Sequence, residues 1–301
     1  MDITGNALIV GAGSGIGRDV SIAYALEGAR ALVLADINKI ATDETARLCR
    51  EAVTKRSGDD LVIHVLEVDV SNEESVETMV RQAVANVGRI DYCVDSAGLG
   101  VRSPLEIAEA SGEELDRFWS VNVKGTFNCL KAVSAAMKRQ DVMTVPSRTG
   151  PREVGRGAII ALGSCNSYVA TPRIVQYTTA KHAVLGMVKN AGKQKRKKNG
   201  PIRNDTSVKL SANVCPALDN APYKIRVNAV CPSWVDTPMT DEAIEGDPNL
   251  KHIIRRVVPL GRIAHPEEVS DSIMFLSSPR SSYMTGGGLL VDGGATLQLQ
   301  I

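Results

Sequence analysis

Aromatic side chains are scarce in this 301-residue sequence, which holds 3 Phe, 2 Trp and 6 Tyr. A core built largely without them falls to Ala, Val, Leu and Ile, the composition of buried parallel strands covered by helices. Net charge is almost absent, with 35 Lys plus Arg against 34 Asp plus Glu. That balance gives no global pull towards nucleic acid or anionic lipid, so neither is expected as a partner. No apolar run approaches the roughly 20 residues needed to cross a bilayer. The first strand-like run, at 7–10, begins close to the first residue, so no secretory leader is expected. The six cysteines, Cys49, Cys93, Cys129, Cys165, Cys215 and Cys231, form no CxxC pair and show no metal-ligand spacing, so no metal is expected. Thiols in apolar runs behave as small hydrophobes. A reduced, cytoplasmic protein is the expectation.

What is present is alternation. Short apolar runs at 7–10, 31–35, 61–68, 90–94, 158–162, 225–230 and 289–291 read as strands. Between them, stretches such as 16–27, 73–87, 113–137 and 266–276 carry apolar residues at helical spacing. Strands alternating with helices predict right-handed crossovers and an α/β fold: a doubly wound parallel sheet of about seven strands, helices on both faces. A single domain over 1–301 is expected. Two segments break the rhythm. Residues 140–156 are polar and rich in Pro and Gly, and read as a surface loop. Residues 192–216 contain a basic run, turn residues and no sustained periodicity, and read as an atypical insertion. The run of charge at 193–198 is more simply a solvated stretch than a nucleic-acid site.

The first strand leads into Gly11-Ala12-Gly13-Ser14-Gly15-Ile16-Gly17, and a helical pattern follows. Glycines permit a tight turn and let backbone N–H groups approach a pyrophosphate at a helix N-terminus. Glycine-rich turns also arise for structural reasons, but here the flanking strand and helix are those of a Rossmann-like dinucleotide site. The second strand ends at Asp36, nineteen residues after Gly17. A carboxylate there suits the adenosine ribose hydroxyls and repels a 2′-phosphate. Neither Ser14 nor Ile37 offers a compensating cation, so NAD is expected rather than NADP. Asp36 as a simple turn residue is the plainer alternative.

Tyr177 and Lys181 are four residues apart and share a face if the stretch is helical. A free phenol titrates near 10, and a neighbouring ammonium lowers that value, which suits acid–base work. The strand at 158–162 ends in Gly163-Ser164-Cys165, where a hydroxyl can meet a substrate oxygen. Asn122 interrupts an apolar helical face and needs a hydrogen-bond partner. Taken singly, the Tyr/Lys spacing is commonplace and Asn122 is more simply structural.

Taken together, these residues resemble the short-chain dehydrogenase/reductase family over nearly the whole chain, and the sequence looks most like microbial, especially fungal, members. The segment 11–17 is similar to its glycine motif, Asp69-Val70 to its adenine contact and Ala97-Gly98 to its cofactor floor. Asn122, Ser164, Tyr177 and Lys181 match its catalytic tetrad, with Tyr177 the usual thirteen positions after Ser164. Pro232 to Thr237 resembles its nicotinamide segment, with Val235 and Thr237 as carboxamide contacts. Thr285-Gly286 and Val291 to Gly294 are similar to its C-terminal signature. The resemblance implies an NAD-dependent alcohol/ketone oxidoreductase of small or polycyclic metabolites. In it Ser164 positions the substrate oxygen and Tyr177 transfers its proton. Lys181 tunes Tyr177 and holds the ribose, and Asn122 orders a water. A homo-tetramer or dimer is implied too; the amphipathic stretch 113–137 could supply a contact helix, though it is more simply a core-facing one. Leu99, Arg102, Cys165, Asn166, Tyr168, Pro172 and Trp234 are expected around the substrate.

Three departures stand out. Val10 replaces the Thr that braces the glycine turn, Asp95-Ser96 replaces an Asn-Asn that bridges strands, and Ser233 replaces a Gly after Pro232. The insertion at 192–216 interrupts the helix bearing Tyr177 and Lys181. Its boundaries can be encoded with splice-like codons, so it is either a genuine surface insertion or an intron read in frame. An NAD-sensing or scaffolding protein without catalysis, and a dehydratase- or cyclase-like enzyme on the same fold, are the alternative functions.

Overall fold

The computed structural model describes residues 3–56, 61–190 and 217–297. A seven-stranded parallel sheet forms its centre. Its strands are β1 (Asn6–Val10), β2 (Ala31–Asp36), β3 (Val62–Glu67), β4 (Tyr92–Asp95), β7 (Gly157–Leu162), β8 (Ile225–Pro232) and β9 (Gly288–Val291). They lie in the order β3-β2-β1-β4-β7-β8-β9. All seven strands read from the sequence are in it, with ends moved by at most two residues.

Side chains alternate between two cores, which explains why the strands read as unbroken apolar runs. From β1, Leu8 and Val10 face one core, and Ala7 and Ile9 the other. The first core is covered by α3 (Glu73–Val87), α5 (Thr126–Met137) and α6 (Val175–Asn190), through residues such as Met79, Val133 and Val184. The second is covered by α1 (Gly15–Glu27), α2 (Lys39–Arg56) and α10 (Pro266–Ser277), through Val20, Tyr24, Cys49 and Ile273. Arg226 of β8 reaches the end of α10 and donates to the carbonyls of Leu276 at 2.7 Å and Ser277 at 3.0 Å. Its cation thereby meets carbonyls left orphaned at a helix C-terminus.

Two expectations are corrected. The stretch 140–156 is not a plain loop. It carries an antiparallel hairpin of β5 (Met143–Val145) and β6 (Arg152–Gly155), separate from the main sheet. The Pro and Gly that argued for a loop make its turn, where Ser147 and Gly150 exchange backbone hydrogen bonds. The stretch 113–137 is not one regular helix either. A π-helix at Trp119–Gly125 separates α4 (Gly112–Phe118) from α5. Gly125 fits there because a Cβ would lie 2.7 Å from the Val70 side chain. Two further short helices, α8 (Pro238–Gly246) and α9 (Leu250–Val257), follow β8, after a single helical turn, α7 (Ala217–Asn220), which precedes it. The insertion at 192–216, with Cys215, lies outside the described residues.

Candidate active site

From β1 the sheet winds outward through β2 to β3 on one side, and through β4, β7 and β8 on the other. The reversal between β1 and β4 opens a crevice at the carboxyl ends of the strands, the usual ligand position in such sheets. The glycine turn stands at its edge. Gly11 leaves β1 at φ 80°, a left-handed conformation that side chains resist. A Cβ on Gly17 would lie 2.0 Å from the Gly11 carbonyl oxygen, so α1 can pack on the turn only with glycine there. Ser14 makes no side-chain cap, and the first turn of α1 carries no acid. The orphan N–H groups and positive dipole end are thus free to meet an anion.

The turn is braced by side chains that the sequence reading did not assign to it. Ser96 Oγ donates to the Val10 carbonyl at 2.7 Å. Thr45 of α2 donates to the Ala12 carbonyl at 2.8 Å, and Arg18 to the Gly13 carbonyl at 2.6 Å. Asp36 accepts from the Gly13 amide at 2.9 Å while remaining partly exposed at the end of β2. A turn that side chains cannot fill, an uncapped helix start and a carboxylate at the next strand end fit a dinucleotide. The pyrophosphate would lie on the N–H groups and the adenosine ribose on Asp36.

Across the crevice, the site of a Cβ on Gly15 is 3.4 Å from Thr237, and that on Gly98 is 3.5 Å from Asn122 Oδ1 and 3.9 Å from Lys181 Nζ. The Gly11 turn abuts Ala97, where a Cβ would come within 2.5 Å of its amide nitrogen. The structure thus gathers Gly11, Gly13, Ser14, Gly15, Gly17, Asp36, Ala97, Gly98, Asn122, Lys181 and Thr237 around one cleft. Pro232 ends β8 on the same edge. Other expected contacts offer less. Ile16 packs on the second core, and Val70 and Val235 are buried, so their side chains serve packing. Asp69 binds Ser71 through one oxygen, at 2.9 Å to its amide.

Asn122 is 1 % exposed, and its partner is the Leu99 backbone: Oδ1 accepts from the amide at 2.8 Å and Nδ2 donates to the carbonyl at 3.1 Å. The π-helix, a feature frequent at functional sites, carries it there. Ser164 follows β7 and caps a short turn, accepting from the Asn166 amide at 3.2 Å. Tyr177 and Lys181 lie in α6, one turn apart. Phe118 meets the Tyr177 ring edge-on at 5.7 Å between centroids. Lys181 is 7 % exposed and donates to the Leu162 carbonyl at 2.8 Å.

The expected lowering of the Tyr177 pKa by Lys181 is not what this arrangement produces. The residue keeps some surface, yet its partial burial pushes the phenol up to about 12. The Ser164 hydroxyl, facing it, works in the opposite direction. Burial likewise pulls Lys181 down to about 8. The ammonium is spent on Leu162, with Nζ 5.7 Å from the Tyr177 ring centroid. Of the expected substrate contacts, Leu99 packs with Phe118 and Tyr177, and Asn166 accepts from Thr171 at 2.8 Å. Tyr168 donates to the Gly288 carbonyl at 2.8 Å, so its hydroxyl anchors β9.

With this geometry, the comparisons with known proteins are decisive about kinship. The short chain dehydrogenase family model matches residues 5–205. This chain belongs to the short-chain dehydrogenase family. A second model, described as enoyl-(acyl carrier protein) reductase, matches residues 212–296. Short-chain dehydrogenase anuF of Penicillium roqueforti is 47 % identical over 300 residues, covering 100 % of this chain and 99 % of that protein. Short-chain dehydrogenase srdC of Neurospora crassa is 44 % identical over 301 residues, covering 100 % of both. Among solved structures, levodione reductase superposes with a TM-score of 0.78 at 25 % identity, covering 98 % of each chain. The family is one of oxidoreductases that use nicotinamide cofactors. Among the described residues, no helix is long and apolar enough to cross a membrane, and no group of acids, histidines and cysteines is arranged to hold a metal.

Proposed function

We propose that this short-chain dehydrogenase interconverts a secondary alcohol and a ketone of a small or polycyclic metabolite, using NAD(H). The observation that carries the reading is the meeting of Ser164, Tyr177 and Lys181 beside a glycine turn that fits a dinucleotide. Ser164 orients the substrate oxygen through its hydroxyl. Tyr177 passes a proton to that oxygen in reduction and takes one in oxidation. The phenol is protonated at neutral pH, the form that reduction needs. Lys181, seated on the Leu162 carbonyl, holds the nicotinamide ribose. Asn122 fixes the Leu99 backbone at the cleft and would order a water that links Lys181 to solvent. A nicotinamide bound in the crevice supplies or accepts the hydride.

NAD is favoured over NADP by Asp36, whose charge opposes a 2′-phosphate. Arg18, the basic side chain at the turn, is held by the Gly13 carbonyl and by Thr45 at 3.2 Å. The working form we propose is a single-domain cytoplasmic enzyme, assembled as a dimer or tetramer. Titration with NADH and NADPH, followed by a panel of simple and polycyclic ketones, tests the reading. Tighter NADH binding with ketone turnover supports it. NADH binding with no turnover would favour a sensing or non-redox role, and no binding would remove the oxidoreductase reading.

A further inference from the structure

Asp95 ends β4, between Val10 of β1 and Ala161 of β7, and is 2 % exposed. Neither carboxylate oxygen has a hydrogen-bond partner of normal geometry. The Thr126 hydroxyl at the start of α5 and the Ala97 amide face it without fully satisfying it. Such a group, left with oxygens unpaired, is expensive to bury, and an amide in its place would cost less. One strand over, Ala161 is followed by Leu162, whose carbonyl receives the Lys181 ammonium.

We propose that Asp95 is a positioning residue for Lys181: its buried carboxylate is the counter-charge that keeps the Lys181 ammonium seated on the Leu162 carbonyl. The charged and titratable surroundings are few. Asp95 is faced by the Cys93 thiol on its own strand, by Cys129 of α5 and by Lys181 of α6. Lys181 is faced by Asp95 and by the Cys231 thiol of β8. Burial pushes all three thiols up, so they are neutral. The carboxylate and the ammonium are therefore the only opposite charges that face one another here among the described residues. In an interior of low dielectric, such a pair interacts over distances that water would screen.

Burial raises Asp95 and lowers Lys181, each held back by the charge of the other. The attraction is lost where Asp95 takes a proton at lower pH or Lys181 gives one up at higher pH. The consequence for catalysis rests on the reading of Lys181 given above, whereas the coupling itself is a property of the protein without cofactor.

The test uses the full chain labelled with 13C at lysine Cε, titrated by NMR, with the Lys181 signal assigned by its loss in Lys181→Met. Asp95→Asn should move the Lys181 midpoint down by about one unit, a tenfold change in proton affinity. Reciprocity supplies a second measurement if Asp95→Asn fails to fold. With 13C at aspartate Cγ, Lys181→Met should raise the Asp95 midpoint by a similar amount. Superimposable titrations in either experiment would overturn the coupling. Failure to bind NADH would overturn the oxidoreductase reading and leave these titrations unaffected, so the two failures are distinct.

Discussion

The Gly13 amide donates to Asp36 Oδ2 and the Asn38 amide to Oδ1, each at 2.9 Å. The carboxylate at the end of β2 thus ties the glycine turn to the start of α2, and a site for a Cβ on Gly13 lies 3.0 Å from it. Asp36 is both a buttress of the turn and the charge that a ribose would meet.

Asp36→Ala should therefore weaken NADH binding about 10- to 100-fold, the worth of a hydrogen bond to a charged group. NADPH binding should fall less, because a repulsion is removed together with the buttress. Fluorescence titration of both cofactors measures the ratio. If NADH and NADPH weaken equally, Asp36 supports the turn but does not select the cofactor.

Tyr177→Phe should reduce ketone turnover about 10²- to 10⁴-fold, the usual range for loss of a general acid. The ring and its contact with Phe118 survive, so NADH affinity should stay within about twofold. Steady-state kinetics beside a binding titration separate the two effects. A variant that keeps near-normal turnover would place the proton donor elsewhere.

Stability should respond to Asp95 in a definite direction with pH. Its folded pKa lies above the unfolded value of 3.8, so the native state holds the proton longer. Stability then falls as pH rises through about 4 to about 6, and the penalty persists above that window. Asp95→Asn should leave stability at pH 4 little changed and raise it at pH 7 by at most about 3 kcal/mol. The loss of attraction for Lys181 reduces that gain. Chemical denaturation at both pH values checks it, and an equal effect at the two would exclude a buried titrating carboxyl.

Arg226→Met should destabilise the protein by about 3 kcal/mol, because several carbonyls at the end of α10 lose a charged donor at once. Besides Leu276 and Ser277, Arg226 bonds the Ser281 hydroxyl at 3.0 Å. Its distance from the cleft predicts unchanged cofactor affinity in the folded fraction. Urea unfolding gives the stability, and a loss below about 1 kcal/mol would mean that water replaces the guanidinium.

Much of this was legible because the fold writes itself in apolar runs. Strands such as 158–162 and 225–230, buried on both faces, cannot hide in a polar background. The glycine turn was readable because its backbone geometry restricts those positions to few residue types, whereas the Ser164, Tyr177 and Lys181 spacing, commonplace by itself, was readable only through the resemblance to the family. The hairpin at 143–155 was hidden by its Pro and Gly content, which suits a tight turn as well as a loop. The π-helix left no mark, since a single extra residue per turn hardly disturbs the spacing of apolar side chains. Ser96 and Thr45 were missed because their partners are backbone carbonyls distant in sequence, and Arg18 because nothing in the sequence marks the nearby Gly13 carbonyl as its acceptor. The direction of the Tyr177 shift depends on where the Lys181 ammonium points, and spacing along a helix does not determine that.

The brace on the Val10 carbonyl makes the two central strands one mechanical unit. That carbonyl accepts from both the amide of Ser96, at 2.9 Å, and its hydroxyl, at 2.7 Å, so the end of β1 is clamped to the chain leaving β4 at two points. The glycine turn and the Ala97 backbone it abuts are thereby held at a fixed spacing, and a dinucleotide would enter a gap already set rather than one it has to shape.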